Sequence, residues 1–283
     1  MKFLKRKAHY IFQYSRLLLK FPFVIFRSIL KNEIHVIDFY AKRVLFKSAG
    51  LYRHKTQITK ESTKKVNNIA EKTMGPGHEE YSGATAPEVA FGFETCIIDL
   101  KENFQLVEYL EIGSAKGKSM GLIGLMSLAH DMCFSGTSID PYFEEAYKEG
   151  ADQPVNFVTG RQVYIAPINS SHRQDAINLW NNLKLNVEQV QKISSIGLIE
   201  LAKAGKKYNL IYIDGLHDGF TPVSDFYRFL DITKDNGIII LDDRHWANVH
   251  YLRKICDNTK GLNKLFENWK ITCYRIDKDS LDY

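Results

Sequence analysis

The chain has 283 residues, of which 45% are hydrophobic and 25% are charged, and its formal net charge at pH 7 is +5. That length suits one α/β domain plus an extension, and no apolar run reaches the roughly 18 residues that a membrane-spanning helix needs. The four cysteines are scattered without a C-x-x-C pair, which argues against a zinc site and favours buried thiols in the cytoplasm.

Residues 1–31 form a basic segment. They carry eight lysines and arginines and no acid, which gives this segment a charge of +8. Because the net charge of the whole chain is +5, the other residues sum to −3. A stripe of polar and basic residues recurs every three or four positions, at Lys2, Arg6, His9, Gln13, Arg16 and Lys20. This spacing is typical of an amphipathic helix interrupted at Pro22. Two interpretations stay open: contact with the anionic inner face of a membrane, or packing on protein, including a second subunit of a homo-oligomer.

The next segment predicts helices and then a loop. Residues 36–48 and 60–72 have helical patterns, and the second is lysine-rich, as expected for a solvated face. Residues 73–86, TMGPGHEEYSGATA, favour a glycine-rich loop. We therefore expect a helical extension with a lid loop at 1–85 and a second domain at 86–283.

A strand, a glycine turn and a helix are predicted in residues 107–131. The turn reads E-x-G-x-x-x-G from Glu111 to Gly117. Gly113 and Gly117 let the backbone approach a ligand closely, and a side chain at Gly113 would occupy ligand space. Ser114 can cap the helix or contact the ligand. The dinucleotide pattern G-x-G-x-x-G is excluded because its third glycine is missing.

The second predicted strand, CFSGTSID at 133–140, ends in Asp140. An acid at this position commonly binds ribose hydroxyls. Together with the short turn, it fits a mononucleoside-type cofactor better than a dinucleotide.

Strand and helix patterns alternate from residue 107 onwards, which predicts a doubly wound, mostly parallel α/β sheet. The predicted strands lie near 107–112, 133–139, 186–191, 208–213 and 237–242, with a late strand within 268–277.

Two of these strands end abruptly in acid, in the segments YNLIYIDGLHD and NGIIILDDRHW. Their tips bring together Asp214, His217, Asp242 and Asp243. Like charges so close repel each other unless a cation or a proton lies between them. The pattern therefore predicts a divalent-metal site with a base beside it.

The order and spacing of these motifs resemble the class I S-adenosylmethionine-dependent methyltransferases. The chain is most similar to the metal-dependent O-methyltransferases, which include the catechol, caffeoyl-CoA and macrolide sugar enzymes. In the sugar enzymes, an Asp followed three residues later by a His, and then an acid pair on the next strand, bind magnesium and supply the base. The likeness covers roughly residues 105–260.

The resemblance implies a Rossmann-like, seven-stranded sheet whose last strand is inserted antiparallel. It implies that S-adenosyl-L-methionine is bound by Glu111, Gly113, Ser114, Gly117, Asp140, Ser195 and Asp214. It implies Mg²⁺ ligation by Asp214, Asp242 and Asp243, and catalysis by His217 and Asp214. Magnesium suits these ligands because they are all hard carboxylate oxygens.

The expected activity is O-methylation of a hydroxyl on a glycan or small metabolite, in a cytoplasmic protein that does not bind nucleic acid. Two alternatives stay open. One is a metal-independent methyltransferase of the same fold, and the other is a catalytically silent, membrane-attached binding protein.

Overall fold

The computed structural model describes residues 57–74, 86–142, 170–217, 220–244 and 246–282. The predicted segments 1–31 and 36–48, and nearly all of the loop 73–86, lie outside the described residues. The elements within these ranges are, in chain order, α1 Gln57–Met74, α2 Pro87–Leu100, β1 Leu106–Ile112, α3 Lys118–Ala129, β2 Cys133–Ile139, α4 Ser170–Leu183, β3 Val187–Val190, α5 Ser194–Lys203, β4 Tyr208–Ile213, α6 Thr221–Ile232, β5 Thr233–Leu241, α7 Ala247–Asn258, β6 Leu262–Glu267 and β7 Thr272–Ile276.

The strands form one seven-stranded sheet in the order β3-β2-β1-β4-β5-β7-β6. Strands β1 to β5 are parallel, and β7 is inserted antiparallel between β5 and β6. The predicted doubly wound architecture and the antiparallel last strand are therefore confirmed. From β1 the chain first adds β2 and β3 on one side and then adds β4 and β5 on the other side, so the strand order reverses between β1 and β4. Ligands of such sheets bind in the crevice outside the carboxyl ends of the strands at this point.

The central strands are apolar because both faces of the sheet are covered. Every residue of β4 is buried, as expected for a parallel strand between two helical layers. Alternate residues enter two separate cores. One contains Leu210 and Tyr212 with residues of α1 to α4, and the other contains Ile211 and Ile213 with residues of α5 to α7.

Helix α1 packs on the domain that follows it. Val66 and Ala70 have no solvent exposure and belong to the same core as α3 and α4. The lysines of α1 lie on the opposite, exposed face, as the sequence pattern predicted. The division at residue 85 stays a prediction.

Among the described residues, no helix is both long enough and apolar enough to cross a membrane. All four cysteines are free thiols, of which Cys96, Cys256 and Cys273 are buried and Cys133 is exposed. Cys133 differs from the expectation because it is the first residue of β2, and β3 pairs with that strand only from Gly136 onwards.

Candidate active site at the carboxyl ends of the strands

The predicted site residues meet at one edge of the sheet because each parallel ladder continues one residue past its strand. The backbone N–H groups of these tip residues donate to the carbonyl that ends the neighbouring strand: Asp140 to Val190, Gly113 to Ile139, Asp214 to Ile112 and Asp242 to Ile213, at 3.0–3.2 Å. The tips of β2, β1, β4 and β5 therefore form one row.

The turn after β1 depends on glycine at both predicted positions, because Gly113 has φ +83° and Gly117 has φ +73°. A Cβ on Gly113 would lie 2.2 Å from the carbonyl oxygen of Asp214. A side chain at Gly113 therefore meets the backbone of the next strand tip. This is a different reason for the glycine from the ligand space that the sequence suggested.

Gly117 is held against α4. The indole Nε1–H of Trp180 donates to the Gly117 carbonyl at 2.9 Å, and a Cβ on Gly117 would lie 2.5 Å from that nitrogen. Since α3 begins at Lys118, this contact fixes the start of the helix. Nothing in the sequence linked Trp180 to the turn, 63 residues earlier.

Asp140 ties the second strand to the same turn. Its Oδ2 accepts from the Ala115 backbone N–H at 3.0 Å, and its Oδ1 accepts from that of Tyr142 at 3.0 Å. Ser114 does not cap the helix, because its hydroxyl pairs with that of Ser138 at 2.6 Å. Burial raises the pKa of Asp140, although the backbone N–H groups lower it in part.

Glu111 lies fully buried on β1, beneath the turn. The Ser119 hydroxyl donates to its Oε1, whereas its Oε2 has no hydrogen-bond partner within the described part of the chain. Burial raises the pKa of Glu111 to about 8, although the Ser119 hydrogen bond acts in the opposite direction. A buried acceptor of this kind is costly unless a ligand donates to it.

Glu111 should make the protein less stable as the pH rises. Its pKa of about 8 in the folded protein exceeds the ordinary 4.5, so its stabilising contribution is complete below pH 4.5 and is lost as the pH rises towards 8. Glu111→Gln cannot ionise and should lose this contribution to the pH dependence. Urea unfolding of both proteins at about pH 5 and about pH 8 measures it. Identical pH dependence in the two proteins would contradict the assignment.

The second part of the site is a cluster at the tips of β4 and β5. One ligand atom from each of Asp214, His217 and Asp243 lies within 4.8 Å of the others. Adjacent residues on a strand face opposite ways, but β5 ends at Leu241 and Asp243 has φ +44°. This left-handed turn brings Asp243 to the same side as Asp214.

Asp242 has a different neighbour. The ammonium of Lys270 lies 2.5 Å from Asp242 Oδ2 and 2.6 Å from Asp243 Oδ1. The structure therefore brings all four predicted residues to one edge, but it adds a cation that the sequence analysis missed. The guanidinium of Arg244, the residue after Asp243, contacts Glu267 and the Asn268 carbonyl.

Lys270 is set in place by the hairpin between β6 and β7. The Asn268 side-chain oxygen accepts from the backbone N–H groups of Lys270 and Ile271, both at 2.8 Å. The Arg244 guanidinium donates to the Asn268 carbonyl at 2.6 Å, and the Arg244 backbone N–H donates to the Lys270 carbonyl at 3.2 Å. The turn after β5 is thereby joined to the hairpin that carries the lysine.

The electrostatics of the cluster follow from burial and crowding. Burial and the neighbouring charge of Asp242 raise the pKa of Asp214 well above its usual range, although Lys270 lowers it in part. Burial acts to lower the pKa of Lys270, but the charges of Asp242 and Asp243 outweigh it and raise the pKa. The cluster as a whole therefore attracts positive charge.

His217 is buried and oriented by α7. Its ring stacks on that of Trp246, with centroids 5.6 Å apart and an interplanar angle of 12°. The Asn248 amide donates to the His217 carbonyl at 3.0 Å. The side chain is thus fixed next to the carboxylates.

Ser195 is the second residue of α5, at the same edge, and is partly exposed. Its neighbour Ser194 hydrogen-bonds to Asp225, whose pKa burial raises to about 6. The structure thus gives Ser194 a structural hydrogen bond. The contact of Ser195 with a cofactor stays a prediction.

Residues 110–244 match the family model of a methyltransferase domain. Among solved structures, cofactor-bound Rv0187 from MTB aligns with a TM-score of 0.50 and 12% identity, over 76% of this chain and 89% of that one. An O-methyltransferase from Bacillus cereus in complex with SAH gives a TM-score of 0.47 and 14% identity, over 77% and 91% of the two chains. No curated protein matches significantly. The family match confirms the resemblance to methyltransferases, and the first alignment confirms the fold that the resemblance implied.

Proposed function

We propose that this chain, whose residues 110–244 match the family model of a methyltransferase domain, methylates a hydroxyl of a glycan or small metabolite with S-adenosyl-L-methionine and a divalent cation. The observation that carries this proposal is the shared edge. The glycine turn beside Asp140 and the cluster of Asp214, His217 and Asp243 lie on neighbouring strand tips. A cofactor and an acceptor held at these two places would be adjacent.

The turn and its neighbours fit the cofactor. The left-handed Gly113 and Gly117 shape a cradle at the start of α3, where helix N–H groups are available to a ligand. Glu111 offers the buried, unsatisfied Oε2, and Asp140 has a carboxylate at the tip of β2. S-adenosylmethionine supplies a methyl group that is already activated, so these residues contribute binding and orientation.

The acidic cluster fits a divalent cation. Asp214 and Asp243 offer carboxylate oxygens within 4.8 Å of each other, and Asp242 Oδ1 is buried without a hydrogen-bond partner among the described residues. Hard oxygen donors of this kind suit Mg²⁺ or Mn²⁺. A cation bound here would favour the ionised form of the acceptor hydroxyl.

His217 takes the proton of the acceptor hydroxyl in this proposal. Its ring is oriented by Trp246 and lies in the same group as the two carboxylates. An imidazole has an ordinary pKa near neutrality, which suits a general base. Asp214 contributes to the same step as a proposed ligand of the cation that would favour the ionised hydroxyl.

Calorimetry with S-adenosylhomocysteine tests the cofactor site. Asp140→Asn should weaken binding by about 10- to 100-fold, since hydrogen bonds to a charged group contribute about 1.5–3 kcal/mol. Asp235→Asn is the control, because Asp235 is an exposed β5 residue that also accepts a backbone N–H. If the wild-type chain binds NAD tightly and S-adenosylhomocysteine not at all, the proposed cofactor is wrong.

Lys270 favours one second candidate, a metal-independent methyltransferase. Its ammonium already pairs with Asp242 and Asp243, and it could serve as the only cation of the site. Methylation of an acceptor in excess chelator separates the two candidates. Turnover that stops and returns with Mg²⁺ supports the cation, whereas turnover that persists selects the second candidate.

We also propose that residues 1–31 bring the enzyme to anionic membrane surfaces. This segment carries eight basic residues and no acid, and each basic residue near such a surface contributes about 1 kcal/mol. The full chain should sediment with anionic vesicles at low salt and lose this binding at high salt. If a chain starting at residue 32 sediments equally well, contact with protein is the better explanation of the segment.

A further inference from the structure

The acidic cluster contains one cation that belongs to the protein. Asp214, Asp242 and Asp243 crowd three carboxylates at the tips of two strands, and the Lys270 ammonium lies within 2.6 Å of two of them. The lysine side chain is 10% exposed and that of Asp242 is 1% exposed, so water screens this contact poorly.

The position of Lys270 is fixed by the backbone of its hairpin. The hairpin that carries it is fixed by Asn268 and by the buried Arg244, through the hydrogen bonds described above. The sheet register gives the same result. Leu241 pairs with Thr272 in the antiparallel ladder of β5 and β7, so two residues further along β5 and two residues back from β7 place Asp243 opposite Lys270.

We propose that Lys270 is a positioning residue that acts as the permanent counter-ion of the cluster and sets how strongly the cluster binds a divalent cation. It engages Asp242 through Oδ2 and shares Asp243 with the group formed by Asp214 and His217. When all three carboxylates are ionised, as ligands of a cation are, three carboxylates and one ammonium leave two negative charges, which one divalent cation balances. Lys270 thereby holds the acids together before a cation arrives and limits the affinity once it has arrived.

This inference rests on the cation site of the proposed function. It predicts that removing the charge of Lys270 increases the affinity for a divalent cation. Lys270→Met removes a positive charge that repels an incoming cation, so the affinity for Mn²⁺ should rise by about tenfold or more. A purely structural lysine would give the opposite result, because damage to the hairpin would weaken binding. Lys270→Arg keeps the charge and should stay near the wild-type affinity.

The experiment titrates the full-length proteins with Mn²⁺ alone, followed by calorimetry and by electron paramagnetic resonance of the free ion. Lys264→Met is the matched control, because Lys264 lies on β6 of the same hairpin and pairs with Asp257 and Glu267 at 2.8 and 2.9 Å, outside the cluster. It should leave the Mn²⁺ affinity unchanged. Equal or weaker binding by a folded Lys270→Met protein would overturn the proposal.

Folding of the variant is itself informative. A Lys270→Met protein that is unfolded alone but folds when Mn²⁺ is added supports the proposal, because the ion then replaces the missing ammonium. A variant that is unfolded with and without Mn²⁺ shows that Lys270 is structural only. If the wild-type protein binds Mn²⁺ and Lys270→Met binds it no more tightly, the role proposed for Lys270 is wrong but the cation site stands. If no protein binds Mn²⁺, the cation part of the proposed function fails as well, while S-adenosylhomocysteine binding still tests the cofactor part.

Discussion

Replacing His217 with glutamine is expected to lower methyl transfer by about 10²- to 10⁴-fold, which is the usual contribution of a general base. The variant should keep its affinity for S-adenosylhomocysteine and for Mn²⁺. Glutamine retains a polar side chain of similar length but cannot take up the proton. The measurement is transfer of a labelled methyl group to an acceptor found in a panel of hydroxylated glycosides and phenols.

His130→Gln is the control for this experiment. His130 follows α3 at the opposite edge of the sheet, where its ring pairs with Glu94 at 3.2 Å. Its replacement should leave turnover near that of the wild-type protein. If His217→Gln loses Mn²⁺ binding together with activity, His217 is a cation ligand and the role of base must pass to another group.

Replacing Gly113 with alanine is expected to destabilise the protein far more than the same change at another left-handed glycine. Gly205 has φ +68° and follows α5, and a Cβ there would meet nothing within 4 Å. Gly205→Ala should therefore lower the free energy of unfolding by about 1–2 kcal/mol, through backbone strain alone. Gly113→Ala adds a clash with the Asp214 backbone, which should cost about 1–3 kcal/mol more.

Urea unfolding of the three proteins gives these free energies directly. Because Asp214 must move to relieve the clash, Gly113→Ala should also weaken Mn²⁺ binding, whereas Gly205→Ala should not. If the two variants are equally stable, the close approach of the β1 and β4 tips does not constrain the chain. Loss of cofactor binding with full stability would instead support the original interpretation, in which the side chain fills ligand space.

The central strands and their acidic ends could be predicted because burial on both faces leaves a plain mark in the sequence. The run YNLIYI is buried throughout and is apolar or aromatic except for Asn209, so Asp214 directly after it stands out. The same holds for Asp242 after β5. The glycine spacing was informative for a similar reason, since a left-handed turn tolerates few other residues.

Strand β6 and Lys270 left no such mark. β6 is an edge strand, LNKLFE, in which only Leu262 is buried, so its pattern is indistinguishable from that of a surface loop. Lys270 is 27 and 28 residues from its two partners, and a lysine beside a tryptophan reads as a surface residue. The contact exists only because β7 is inserted beside β5, and counting the register of that predicted strand was the one available signal.

The positions of the three tryptophans have a practical consequence for anyone who studies this protein in solution. Trp180 is bonded to the glycine turn, Trp246 stacks on His217, and Trp269 directly precedes Lys270 in the hairpin turn. Each part of the site thus has its own natural fluorophore, with no indole elsewhere in the chain to obscure it. Variants that keep a single tryptophan would give separate optical signals for cofactor arrival, for the histidine and for the acidic cluster, without any attached dye.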